Sequence, residues 1–193
     1  MRTRLSILII IASLTLAGCA GLLPEPAPPP AEVDFGPATE TTEAEPLPTA
    51  VTLTRVQAPS WMQGTAIHYR DADRAPNLLE RYANHIWAAP PADLLAEQVE
   101  AMLHARAPAT NGQRARLELR LTRFEHVLTE NNQAHADARV TARLYSPDGR
   151  LQREADFRTR VDITPDVNGA IEGLPTAAGQ LTSELGEWLS RHL

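Results

Sequence analysis

The chain predicts a single α+β domain. An antiparallel sheet, built from a three-strand meander plus one or more short N-terminal strands, carries two helices packed on one face. Three observations predict it. From Leu117 to Ile163, three segments alternate apolar and polar residues, the period of strands with one buried and one wet face. Leu95, Val99 and Met102, and later Leu174, Leu181, Leu185 and Trp188, keep helical spacing instead. Between Val51 and Tyr82, short apolar segments are broken by Pro59, Gly64 and Asp71-Ala72-Asp73, as short strands are.

In chain order, Val51, Leu53 and Val56 suggest a first strand ending before Pro59, and Trp61 to Gly64 a bend. Ala66 to Arg70 reads as a second strand, with Leu78 to Tyr82 its hairpin partner, and Trp87 follows. Pro90-Pro91 opens a helix, since proline suits a first turn and Asp93 complements the helix dipole there. It is expected to reach about Arg106. Leu117, Leu119 and Leu121 alternate, but Phe124 breaks the parity and predicts a bulge at Thr122 or Arg123. Asn131-Asn132 marks a turn. The even positions from Ala134 to Leu144 are apolar, Ser146-Pro147-Asp148-Gly149 is a hairpin signal, and Leu151 to Ile163 alternates again. Asn168-Gly169 is expected to separate that strand from the final helix, and Pro175 to kink the helix or delay its start.

The 193 residues fit one ordinary domain plus a tail. Formal charge is −6, all 18 basic residues are arginine, and these are scattered without a basic run. That balance argues against nucleic acid as a partner. Residues 20–50 hold eight prolines and six acidic residues without one basic residue, so a disordered tether is expected before a domain at 51–193. Its expected role is reach; a Pro-rich docking motif is the alternative.

The N-terminus is a secretory leader: Arg2 and Arg4, then an uncharged run from Leu5 to Ala17. At 13 residues the run is short of the ~20 needed to span a bilayer. Leu16-Ala17-Gly18-Cys19, holding the only cysteine, resembles the lipobox of bacterial lipoproteins. The resemblance implies removal of residues 1–18 and lipid attachment at Cys19. The alternative is a buried cysteine of an ordinary secreted protein. Loss of Arg2 and Arg4 would take the mature charge from −6 to −8. A lone cysteine also rules out an internal disulfide.

No catalytic constellation is readable. The histidines at 68, 85, 104, 126, 135 and 192 include no His-x-x-x-His pair, and no second cysteine completes a zinc cluster, so no metal or cofactor is expected. Asp71 and Asp73 do not continue into a calcium loop and read as a polar turn. There is no phosphate loop and no Gly-x-Ser-x-Gly elbow, and an enzyme is not expected. Trp61, Tyr69, Tyr82 and Trp87, beside Arg70 and Arg81, offer two readings. They form a partner- or lipid-contacting patch, with Trp61, Tyr69, Arg70, Tyr82 and Trp87 its candidates, or they fill the core between sheet and first helix. Gly179 and Gly186, seven apart, would let a neighbouring backbone approach the last helix or would merely weaken it.

Ile67-His68-Tyr69-Arg70, followed by Tyr82-Ala83-Asn84-His85-x-Trp87-Ala88-x-Pro90, resembles the PqiC-type ABC-transport auxiliary lipoproteins. The likeness continues through the Leu94–Leu103 helix, Arg123-Phe124-Glu125, the Ala/Arg-rich strand to Tyr145 and Asp156-Phe157-Arg158. The Pro/Glu-rich tether, Pro175 and Gly186 depart from it. The resemblance implies a non-enzymatic auxiliary subunit of an intermembrane lipid-transport system that maintains membrane integrity. Its implied partners are an MCE-domain periplasmic protein and an ABC permease and ATPase, with phospholipid as a further ligand; self-association into a homo-oligomer stays open. Ala20 after the cysteine implies the inner leaflet of the outer membrane, with the domain in the periplasm. The alternative is a structural or assembly adaptor that binds an envelope protein without handling lipid.

Overall fold

The computed structural model describes residues 27–37, 45–109 and 112–193. Among these residues, seven strands and two α-helices follow one another in the order β1 (Ala31–Val33), β2 (Val51–Gln57), β3 (Ala66–Asp71), β4 (Glu80–Trp87), α1 (Pro91–Ala105), β5 (Ala115–Thr129), β6 (Gln133–Tyr145), β7 (Leu151–Ile163) and α2 (Val167–His192). The strands form one sheet in the order β1-β4-β3-β5-β6-β7, with β2 also beside β5.

The meander is β5, β6 and β7, antiparallel throughout. Its register shifts between Leu121 and Arg123, so the bulge falls where the broken parity of Phe124 places it. Beyond it, Phe124 pairs with Ala138 and Glu125 with Asp137, returning apolar residues to one face and charge to the other.

The sheet as a whole is mixed, which corrects the antiparallel expectation. β2 and β3 both pair with β5 in parallel, and β1 pairs with β4 in parallel. The reason is length. β5 has 15 residues, while β2 and β3 have 7 and 6. β2 takes residues 115–120 of its free edge and β3 takes residues 126–128. Parallel pairing needs a long crossover, and the chain through β4 and α1 supplies it.

Both helices bury their apolar stripes in one core with the inner face of the sheet. Ala136, Ala138 and Ala142 of β6 are all but fully buried, as are Ala170, Ala177 and Ala178 of α2. Small residues on both sides let the helix lie close to the middle strand. Leu174, Leu181 and Leu185 complete the seam, each contributing about 1.5–3 kcal/mol by burial.

Four other expectations are corrected. β4 begins at Glu80 and includes Trp87, so Leu78 stays outside the hairpin. Asn168-Gly169 lies inside the first turn of α2, because Asp166 caps the helix, its carboxylate accepting from the Gly169 amide at 2.9 Å. Pro175 does not delay α2, which runs from Val167 to His192 with the proline inside it. Buried Leu174, Ala177 and Ala178 hold that segment against the sheet, so packing outweighs the missing amide. The ordered domain also starts before Val51. Phe35 and Leu47 are only 8% and 2% exposed and belong to the core, and β1 pairs with β4. These apolar side chains find pockets that the surrounding prolines do not deny them. The Leu47 amide donates to the Arg106 carbonyl at 2.8 Å, satisfying an end carbonyl of α1. The leader and Cys19 lie outside the described residues.

Candidate functional site

A groove of about 1800 Å³ opens between α1, α2 and the segment 32–37. Val33, Phe35, Ala101, Met102, Ile171 and Pro175 give it apolar walls. Each is placed by a local rule. Ala101 and Met102 lie beside the buried stripe of α1, where Leu95, Val99 and Leu103 face the sheet. Ile171, Pro175 and Gly179 recur at i, i+4 and i+8, one stripe of α2. Phe35 is held by edge and tilted contacts to Trp87 and Phe124, both with ring centroids at 5.2 Å. A turn in which the Asp34 carboxylate accepts from the Gly36 amide at 2.8 Å fixes the segment, Gly36 taking φ +71°.

Two polar atoms interrupt the apolar lining. Gln98 Oε1 and Thr182 Oγ1 are buried without a hydrogen-bond partner, and both residues line the groove. Glu32, Asp34, Arg106 and Glu172 add charge to its lining. Arg106 is the clamp: its Nε donates to the Glu45 carbonyl at 2.9 Å and its guanidinium to Ser190 Oγ at 2.6 Å, joining the N-terminal segment to α2. An apolar concavity with a few unsatisfied polar atoms is the ordinary chemistry of a ligand site. This volume exceeds the ~300–1,000 Å³ of small-molecule pockets and suits an acyl chain or a partner's apolar segment.

The aromatic candidates are not gathered into one patch. Trp87 is 1% exposed and fills the core. Tyr69 and Tyr82 lie together, ring centroids 4.8 Å apart. The Tyr69 hydroxyl donates to Glu80 at 2.5 Å, which raises its pKa. Burial, then Tyr69 and Asp166, push Tyr82 up to about 12. Its hydroxyl lies 2.7 Å from Nδ1 of His126. Trp61, 39% exposed, stands edge-on to His68, centroids 5.4 Å apart.

Arg70 points to the opposite, polar face of the sheet. There its guanidinium holds buried Glu125 through two bonds of 3.1 Å. Glu125 also meets Arg123, and Asp137, 1% exposed, meets Arg139, Arg158, Arg160 and Arg123 within 4 Å. Burial alone would raise the Asp137 pKa, but the bonds and charges of Arg139 and Arg158 outweigh it and hold it down. Sequence reasoning missed both this network and the groove. Among the described residues no group of three or more His, Cys, Asp or Glu side chains converges as metal ligands would. Nor is any helix there long and apolar enough to cross a membrane.

The family model of the ABC-type transport auxiliary lipoprotein component matches residues 34–186. The chain belongs to that family. Membership of this lipoprotein family is consistent with membrane anchoring and implies a transporter as partner. Its fold is similar to that of a Xanthomonas campestris protein assigned to DUF330, with a TM-score of 0.67 at 22% identity, covering 85% of this chain and 94% of that one. A second, uncharacterized protein gives a TM-score of 0.60 at 12% identity, covering 84% of this chain and 100% of that one. No curated protein matches the sequence. The matched region begins at Asp34, which includes Phe35 and Leu47 and agrees with a domain that starts before Val51.

Proposed function

We propose that this auxiliary lipoprotein serves an MCE/ABC-type intermembrane lipid-transport system that maintains membrane integrity. In this reading Cys19 carries the lipid anchor in the inner leaflet of the outer membrane. The residues before β1 give the domain reach, and the domain docks on the periplasmic partner of the permease and ATPase. Two acyl chains hold stably where one does not, so a lipidated cysteine suffices as the membrane attachment. The observation that carries the reading is the family match over 34–186, joined to an apolar groove large enough for an acyl chain.

Affinity purification of the full-length lipoprotein from membranes tests it. An MCE-type or ABC subunit should copurify, and recovery of neither would sink the idea. Native mass spectrometry of the mature chain, alone and with that partner, separates the readings. Bound phospholipid is expected of a lipid-handling subunit, while its absence in both preparations would favour the adaptor. Replacing Cys19 by alanine should release the protein from the membrane or leave its precursor uncut; unchanged membrane attachment would remove Cys19 as the anchor.

A further inference from the structure

The polar face of the meander carries an unbalanced charge. Arg123 of β5, Arg139 of β6 and Arg158 of β7 are register partners, standing side by side across three strands. Like charges directly opposite on a sheet repel, so three arginines abreast are a cost to the fold. In the next row, Glu125 and Asp137 are register partners and Arg160 pairs with Asp137. With Arg70, five arginines share two carboxylates, leaving an excess of three positive charges in a chain whose formal charge is −6. The carboxylates are buried, yet the side chains of Arg123, Arg139, Arg158 and Arg160 remain 36%, 33%, 41% and 52% exposed. Asp137 takes the Nε and Nη2 of Arg139 and the Nη2 of Arg158 in hydrogen bonds, while Arg123 and Arg160 approach the buried pair only as ion partners. Of the two neighbouring rows, Arg120, Thr141 and Asp156 is neutral and Val127, His135 and Asp162 carries one carboxylate, so the excess is local.

We infer that this arginine row is the surface that receives a carboxylate-rich segment of a protein partner, an inference that rests on the docking reading above. A phospholipid fits less well. Its headgroup could meet the arginines, but the apolar groove for its chains is formed by the helices, which pack on the other face of the sheet. Guanidinium N–H groups not taken by Asp137 or Glu125 can donate to further carboxylates, and strands about 4.8 Å apart set the three arginines abreast for them.

A photo-cross-linking amino acid placed at Thr122 and at Asp156, exposed positions flanking the row, tests this in the full-length lipoprotein in cells. The expected adduct is an acid-rich segment of the transport partner. Arg158→Glu with Arg160→Glu should cut its yield at least about tenfold, and arginines at the cross-linked acidic positions of the partner should restore it. The neutral pair Arg158→Gln and Arg160→Gln, with circular-dichroism melts of all variants, separates lost contact from lost fold. An adduct to lipid, to a second copy of this chain, or one indifferent to charge reversal would overturn the inference. A cross-linker at Gly179 in the groove divides the failures. If it captures a transporter subunit while the sheet positions capture none, the arginine row is wrong and docking stands. If neither captures one and affinity purification also recovers no transporter subunit, the docking reading fails with it.

Discussion

His126 shows how one buried group can set the response to acid. It is fully buried, its Nδ1 faces the Tyr82 hydroxyl, and its Nε2 has no partner. Burial lowers its pKa to about 4; Asp166 opposes the shift and His135 adds to it. The unfolded side chain titrates near ~6.5, so between that pH and about 4 only the unfolded chain takes up the proton. Stability is therefore complete above ~6.5 and falls with acid, by up to about 3 kcal/mol. Urea melts at pH 7.5 and 4.5 check this: His126→Gln should flatten the difference, and an unchanged loss would place its source elsewhere. Glycines allow an equally local comparison. A Cβ on Gly169 would lie 2.2 Å from the Thr164 carbonyl oxygen, whereas one on Gly179 meets nothing within 4 Å. Gly169→Ala should cost about 1–3 kcal/mol by overpacking, and Gly179→Ala should gain about 0.5–1 kcal/mol of helix stability. Thermal melts that moved both variants in the same direction would contradict the geometry.

At the scale of elements, the legible parts were those whose signal is local. The meander, the bulge after Leu121 and α1 follow from side-chain period and proline position, which a single segment carries. The parallel pairings of β2 and β3 were not legible, because they depend on which edge of β5 remains free after β6 has paired. The Asp166 cap was readable, yet Asn168-Gly169 and Pro175 drew the reading towards a later helix start. Composition misled most at 31–37 and 45–50. A lone phenylalanine among prolines and acids looks unable to support order, but Phe35 packs against both Trp87 and Phe124, which also touch each other. Phe35→Ala should therefore cost about 3–5 kcal/mol. Pro29→Ala, at an exposed position, should stay within about 0.5 kcal/mol. Equal denaturation midpoints for the two variants would return this segment to the tether.

For the whole molecule, the sheet separates two chemistries. Its inner face and helices make an apolar groove; its outer face carries arginines over buried acids. Neither site was visible in the sequence, since both join residues far apart in the chain: Phe35 with Met102 and Ile171, Arg123 with Arg139 and Arg158. The scattered arginines formed no run because strand pairing, not sequence, brings them abreast. The separation also makes the groove testable on its own. Gly179 lines it and has open space where a side chain would go. Gly179→Trp should thus fill the groove from the exposed side of α2 without disturbing Ala177, Ala178 or Leu181 beneath it. If phospholipid occupies this groove, the variant keeps its melting temperature and its cross-links at the arginine face but loses phospholipid adducts in native mass spectrometry. Adducts at the unsubstituted level in a folded Gly179→Trp protein would exclude the groove as the lipid site.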